Sequence, residues 1–157
     1  MYLSHTVTGF MDRRDVDYDT IGHPHCFTSG ESAEQAHLPR GRVAKGVLFC
    51  DEDDYVLAVV PASARVDQKA LRAILGQKHL ELADEDEVAL LFPDCELGAI
   101  PVVGQAFGVG TVVYDSLLEQ DDVYFEGGDH EHLVHVSGQA FQRLMAGAPH
   151  GNISGGN

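Results

Sequence analysis

Pro93-Asp94-Cys95-Glu96-Leu97-Gly98-Ala99-Ile100-Pro101-Val102-Val103-Gly104 joins a segment of helical pattern to an apolar, strand-like run, and its centre is Gly98-x-x-Pro101. Gly98 opens backbone angles closed to other residues and lets another group come close. Pro101 fixes its own φ and pushes Ile100 toward an extended conformation. Between them lie the N–H groups of Ala99 and Ile100, which in an irregular loop need acceptors. Read on spacing alone, the stretch is a turn between a helix and a strand. Read as chemistry, it offers backbone donors to a substrate carbonyl oxygen.

Outward from this loop the chain divides into short elements. Upstream, Asp84-x-x-Glu87 caps a helix that stops at Pro93, and a short strand is expected around 79–82. Asp67 caps a helix over 67–75 that points Ala70, Leu71, Ile74 and Leu75 inward and ends at Gly76. Before it, 42–50 and 55–61 read as two strands of a hairpin about an acidic turn. Thr28-x-x-Glu31 has the form of a capping box for a helix to Leu38, and 16–21 alternates like a strand after a short polar-apolar start. Downstream, strands are expected near 110–114, 122–126 and 132–136. A last helix then opens at Ser137, buries Phe141, Leu144 and Met145, and frays at Gly147. No repeat and no second domain is visible. One domain is expected over 1–147, and 148–157, rich in Gly, reads as a disordered tail.

Composition narrows the function. The 157 residues suffice for one core, and no apolar run reaches membrane-spanning length. Cys26, Cys50 and Cys95 are odd in number and lack C-x-x-C spacing, so they read as free thiols of a reducing cytoplasm. The net charge is −15 and uneven: nine Lys/Arg stand against eleven Asp/Glu up to Lys78, one against fourteen from His79 on. Such a surface repels a polyanion, so any nucleic-acid contact belongs to the N-terminal half. DNA and membrane partners are not expected.

Lys45 is the most informative side chain. On a strand it shares a face with Val43, Val47 and Phe49, so it either snorkels from the strand end or lines a pocket as a cation for phosphate or a carboxylate-like oxygen. His23, His25 and Cys26, with His130, His132 and His135, raise a zinc hypothesis that no Cys pair or HExxH helix supports. No metal or cofactor is expected. His130, beside Gly127-Gly128-Asp129, is expected at a pocket rim. No G-x-S-x-G elbow, Walker loop or Rossmann glycine pattern is present, and no cysteine has a dedicated base.

The strand bearing Lys45, the loop from Glu96 to Gly104, Thr111-Val112-Val113-Tyr114-Asp115 and Val123-Tyr124-Phe125-Glu126-Gly127-Gly128 together resemble the YbaK family of aminoacyl-tRNA editing domains. That family includes the insertion domain of bacterial prolyl-tRNA synthetase and the free-standing ProX proteins. The resemblance covers most of the chain, from about His23 to Met145. It implies an α+β single domain with a central mixed, partly barrel-like sheet flanked by helices. It further implies a free-standing, cytoplasmic aminoacyl-tRNA deacylase that hydrolyses the ester of a mischarged tRNA. Lys45, Gly98 and Pro101 then carry the catalytic roles, and Gly46, Ala99, Ile100, Gly128 and His130 bind substrate. The partners implied are the tRNA acceptor end and an aminoacyl-tRNA synthetase as carrier. Gly46 stands where some alanine-editing members carry a polar side chain, which leaves amino-acid specificity open. The rival reading is a non-catalytic module of the same fold that binds a small ligand or a protein in regulation.

Overall fold

The computed structural model describes residues 3–24, 32–34, 36–52 and 54–154. In chain order its elements are α1 (His5–Arg13), β1 (Asp19–Gly22), β2 (Val43–Asp51), β3 (Asp54–Pro61), α2 (Gln68–Leu75), β4 (Glu81–Leu82) and α3 (Glu85–Leu91). There follow β5 (Gly110–Tyr114), β6 (Asp122–Glu126), β7 (His132–Ser137), α4 (Gly138–Leu144) and β8 (His150–Gly151).

The long hairpin β2–β3 forms the spine of the sheet, paired from Ala44↔Pro61 to Asp51↔Asp54. Glu52 takes φ 56°, the left-handed setting that tight hairpin turns require. The sheet is open and mixed, in the order β1-β7-β6-β2-β3-β5-β8, with β4 added on β2. Parallel pairs join β2 to β6, β3 to β5 and β5 to β8.

Both faces are covered, which is why β3 reads as a continuous apolar run rather than an alternation. Leu57 and Val59 face a core that includes Val7, Phe10 and Met11 of α1 and Phe141 and Leu144 of α4. Val56, Ala58 and Val60 face the other way, against Leu71 of α2, Leu80 and Ile153. Burying each of these large side chains stabilises the fold by roughly 1.5–3 kcal/mol.

Four readings of the sequence are corrected or completed by the structure. The N-terminal start is a helix: the Ser4 side chain accepts from the Val7 N–H, and Val7, Phe10 and Met11 fall on one buried stripe. Its Thr-Val-Thr-Gly run is a poor helix former, so tertiary burial overrides propensity. The strand expected over 16–21 pairs only at Asp19–Gly22, while Val16 turns into the core. The segment expected to be a disordered tail is ordered through Ser154: β8 extends β5, Ile153 is 0% exposed, and its carbonyl accepts from the Asp67 N–H at 2.7 Å. One apolar side chain and a few strand bonds outweigh the glycine content. Ile74, expected inward, is 40% exposed. The capping box at Thr28 and Glu31 lies outside the described residues, as do His25 and Cys26.

Candidate functional site

The site begins as a break in the sheet. On one edge β2 is paired along its length with β3, but on the other β6 covers only Val43 and Ala44 and β4 only Phe49 and Cys50. Backbone groups alternate sides along a strand. The Val43 carbonyl accepts from Ala62 at 2.7 Å on the β3 side, and the Leu48 carbonyl from Ala83 at 3.0 Å on the opposite side. The N–H and carbonyl of Gly46 therefore face the uncovered edge, with no ladder partner. A Cβ at Gly46 would stand 2.9 Å from Leu57 Cδ1, so glycine here lets Leu57 pack beneath the strand.

A cavity of about 380 Å³ occupies the break. β2 lines it with Lys45, Gly46, Val47 and Leu48, and the segment leading into α3 with Leu82, Ala83 and Glu85. Val88 and then Leu97, Gly98 and Ile100 complete it. The lysine and the bend thus share one cavity. Burial lowers the Lys45 pKa, and the Arg65 charge lowers it further. Among the described residues no carboxylate pairs with the Lys45 ammonium.

The loop is built to hold its shape. α3 ends at Phe92, whose ring lies 4.7 Å from that of Phe107. Gly98 takes φ 81°, open to glycine and strained for other residues. Beyond it the chain enters the core, with Ala99 0% and Ile100 8% exposed and Pro101 buried. The Ala99 N–H, expected to serve a substrate, donates instead to the Glu96 carbonyl at 3.1 Å. Among the described residues the Ile100 N–H makes no hydrogen bond.

Three anchors fix the loop from behind. The Asp94 carboxylate accepts from Ser4 Oγ, Thr6 N and Thr6 Oγ1. Burial works against its charge, but these hydrogen bonds prevail and hold its pKa below the ordinary value. The Glu96 N–H donates to the Gly128 carbonyl at 2.8 Å, and His130 Nε2 bonds the Leu97 carbonyl. Gly128 and His130 are therefore not at the cavity, contrary to expectation. His130 is 2% exposed beneath the loop, and Gly128 lines a separate depression with Asp94, Cys95 and Glu96. Gly128 takes φ 108°, with Cys95 Sγ 3.2 Å from where a Cβ would stand. Both residues support the bend that lines the cavity.

Sequence reasoning missed Glu85, Asp94 and Glu126. Glu126 follows the last residue of β6 paired with β2 and is 1% exposed. Burial pushes its pKa up to about 7, the nearby Asp129 charge adds to the rise, and a hydrogen bond from Ser32 Oγ at 2.6 Å opposes it. Cys50 and Cys95 are free thiols. Burial and the Asp94 carboxylate push Cys95 up to about 12, so it stays protonated. Burial and Glu87 raise Cys50 as well. Among the described residues no three His, Cys, Asp or Glu converge on a metal position, and no helix is long and apolar enough to cross a membrane.

This mixed sheet has counterparts among known proteins. The aminoacyl-tRNA editing domain model matches residues 23–144, and the chain belongs to that family. A proline–tRNA ligase of Staphylococcus epidermidis is 25% identical over 117 residues, 73% of this chain and 20% of the ligase. The corresponding ligase of Thermosipho africanus is 26% identical over 77 residues, 49% of this chain and 14% of the ligase. The chain thus spans a fifth or less of the curated relatives it matches. Among solved structures, a candidate trans-editing enzyme for prolyl tRNA synthetase superposes with a TM-score of 0.82 at 23% identity, covering 99% of this chain and 100% of that one.

Proposed function

We propose that this chain is an aminoacyl-tRNA deacylase that removes a wrong amino acid from the acceptor end of tRNA. The observation that carries the reading is the cavity at the break in β2, lined together by Lys45, Gly98 and Ile100. Family membership supports the substrate class. An aminoacyl ester is already activated, so the site needs no strong nucleophile. It must hold the ester, admit a water and stabilise charge on the carbonyl oxygen.

In the proposed reaction water adds to the ester carbonyl carbon, and the carbon–oxygen bond to the ribose breaks. The ribose oxygen leaves with a proton, and the free amino acid is released. The Ile100 N–H, a loop donor with no hydrogen bond among the described residues, stabilises the developing oxyanion. Gly98 sets the bend that presents it, and Pro101 fixes the chain as it enters the core. Lys45 binds the terminal phosphate or offsets transition-state charge. The acidic C-terminal half confines tRNA contact to the acceptor end, and a synthetase, prolyl-tRNA synthetase first among those to test, is the proposed carrier.

The test is release of amino acids from a panel of mischarged tRNAs. Lys45→Ala is expected to lower kcat/KM on the order of 100-fold with the fold unchanged by circular dichroism. Failure of the whole panel to be deacylated above background would transfer the site to the rival reading, a non-catalytic ligand-binding module.

A further inference from the structure

One charged side chain lining the cavity has no part in that mechanism. Glu85 opens α3 between two acids that are already engaged. Asp84 and Glu87 cap the helix reciprocally, at 2.8 Å and 3.1 Å, and Glu87 also accepts from the Tyr55 hydroxyl at 2.9 Å. Among the described residues the Glu85 carboxylate has neither a hydrogen bond nor an ion pair. Glu85 lines the cavity at its exposed side, from the chain that follows β4, where the Ala83 N–H closes on the Leu48 carbonyl. The next free acceptor along that edge is the carbonyl of Gly46.

The cavity therefore holds a cation, Lys45, and two acceptors, the Glu85 carboxylate and the Gly46 carbonyl. Between them lie apolar walls that include Val47, Val88 and Ile100. An ammonium group is a three-way donor that needs such acceptors, and a carboxylate with a strand carbonyl supplies them. An aminoacyl ester carries its ammonium on the carbon next to the ester carbonyl, within the reach of one small cavity.

We propose that Glu85 and the Gly46 carbonyl form an ammonium subsite, so that the cavity selects acyl groups with a free α-amino group over N-blocked or α-hydroxy ones. The proposal rests on the deacylase reading for the identity of the acyl group, and it makes Glu85 a specificity residue for that reaction. The contact is exposed, so the selectivity should weaken with salt.

Three stable probes test it: 3′-deoxy-3′-(L-alanylamino)adenosine, its N-acetyl derivative and its lactyl counterpart, titrated calorimetrically into the full chain. The free-amine probe is expected to bind about tenfold more tightly than the two neutral ones. Glu85→Gln, a shape-preserving change at an exposed position, should remove that advantage and leave the neutral probes within about twofold. The amide signal of Gly46 should shift on binding. Equal binding of all three probes to the wild-type chain overturns the proposal, as does a Glu85→Gln variant that weakens all three alike. If none of them binds, the proposal falls together with the reading of the cavity. Deacylation of tRNA without charge selectivity would sink the ammonium subsite alone. Selectivity without deacylation would keep the subsite and sink the enzyme reading.

Discussion

Thr6 holds the Asp94 carboxylate twice, through its N–H at 3.1 Å and its hydroxyl at 2.9 Å, and so ties the start of α1 to the loop that lines the cavity. Ser4 adds a third bond at 2.8 Å, and its own N–H reaches the Gly127 carbonyl at 2.8 Å. The first helix, the Gly98 loop and the β6–β7 turn are thus one mechanical unit. Asp94→Ala should cost about 1 kcal/mol in urea unfolding, modest because the site is largely solvated. It should also speed amide exchange over 95–99. The wild-type contribution is present above the ordinary aspartate range and is lost as pH falls through the lowered native pKa, so the variant should lose less stability on acidification. Equal acid sensitivity in the two proteins would discard the anchor.

Gly98→Ala tests the bend itself. At φ 81° an alanine is strained, and relief by moving the loop displaces Ile100 from the cavity. The expected cost is about 1 kcal/mol of stability with a larger loss in kcat/KM. A variant with full turnover would show that the loop's conformation has no catalytic part.

The tail offers a test independent of function. Ile153 lies in the core with Leu71, Leu80 and Val112, and its carbonyl holds the Asp67 N–H ahead of α2. Ile153→Ala should lower stability by about 2–4 kcal/mol, read by thermal or denaturant unfolding. A tail that contributes nothing would leave the midpoint unchanged.

How much of this was legible in sequence follows from how local each signal is. Strands β2, β3, β5, β6 and β7 announced themselves as apolar runs between turn residues, and α2, α3 and α4 through their caps Asp67, Asp84 and Ser137. Lys45 stood out because its own face is apolar. The break in the β2 edge was not legible, because it depends on where β4 and β6 stop pairing, and register between distant strands leaves no local mark. The same holds for His130 and Gly128: a Gly-Gly-Asp-His turn signals a tight reversal, but not which side of the neighbouring loop it will pass. Glu85 was hidden inside an acidic helix start, where capping accounts for every carboxylate until the partners are seen.

Glu126 supplies the sharpest pH prediction. Its native pKa stands at about 7 against an ordinary 4.5, chiefly through burial, so the folded chain binds a proton there that the unfolded chain releases between those values. Stability from this group is therefore full below pH 4.5 and declines as pH rises through 7. Above that range the buried charge costs up to about 3 kcal/mol. Glu126→Gln keeps the shape and can still accept from Ser32, but it carries no charge to bury. The variant should be more stable than the wild type at pH 8, and the difference should shrink toward zero by pH 5. Urea midpoints of both proteins at the two pH values decide it, since the subtraction cancels the other titrating groups. A difference that stays constant across the range would mean that Glu126 titrates normally and that its burial does not disfavour the charge.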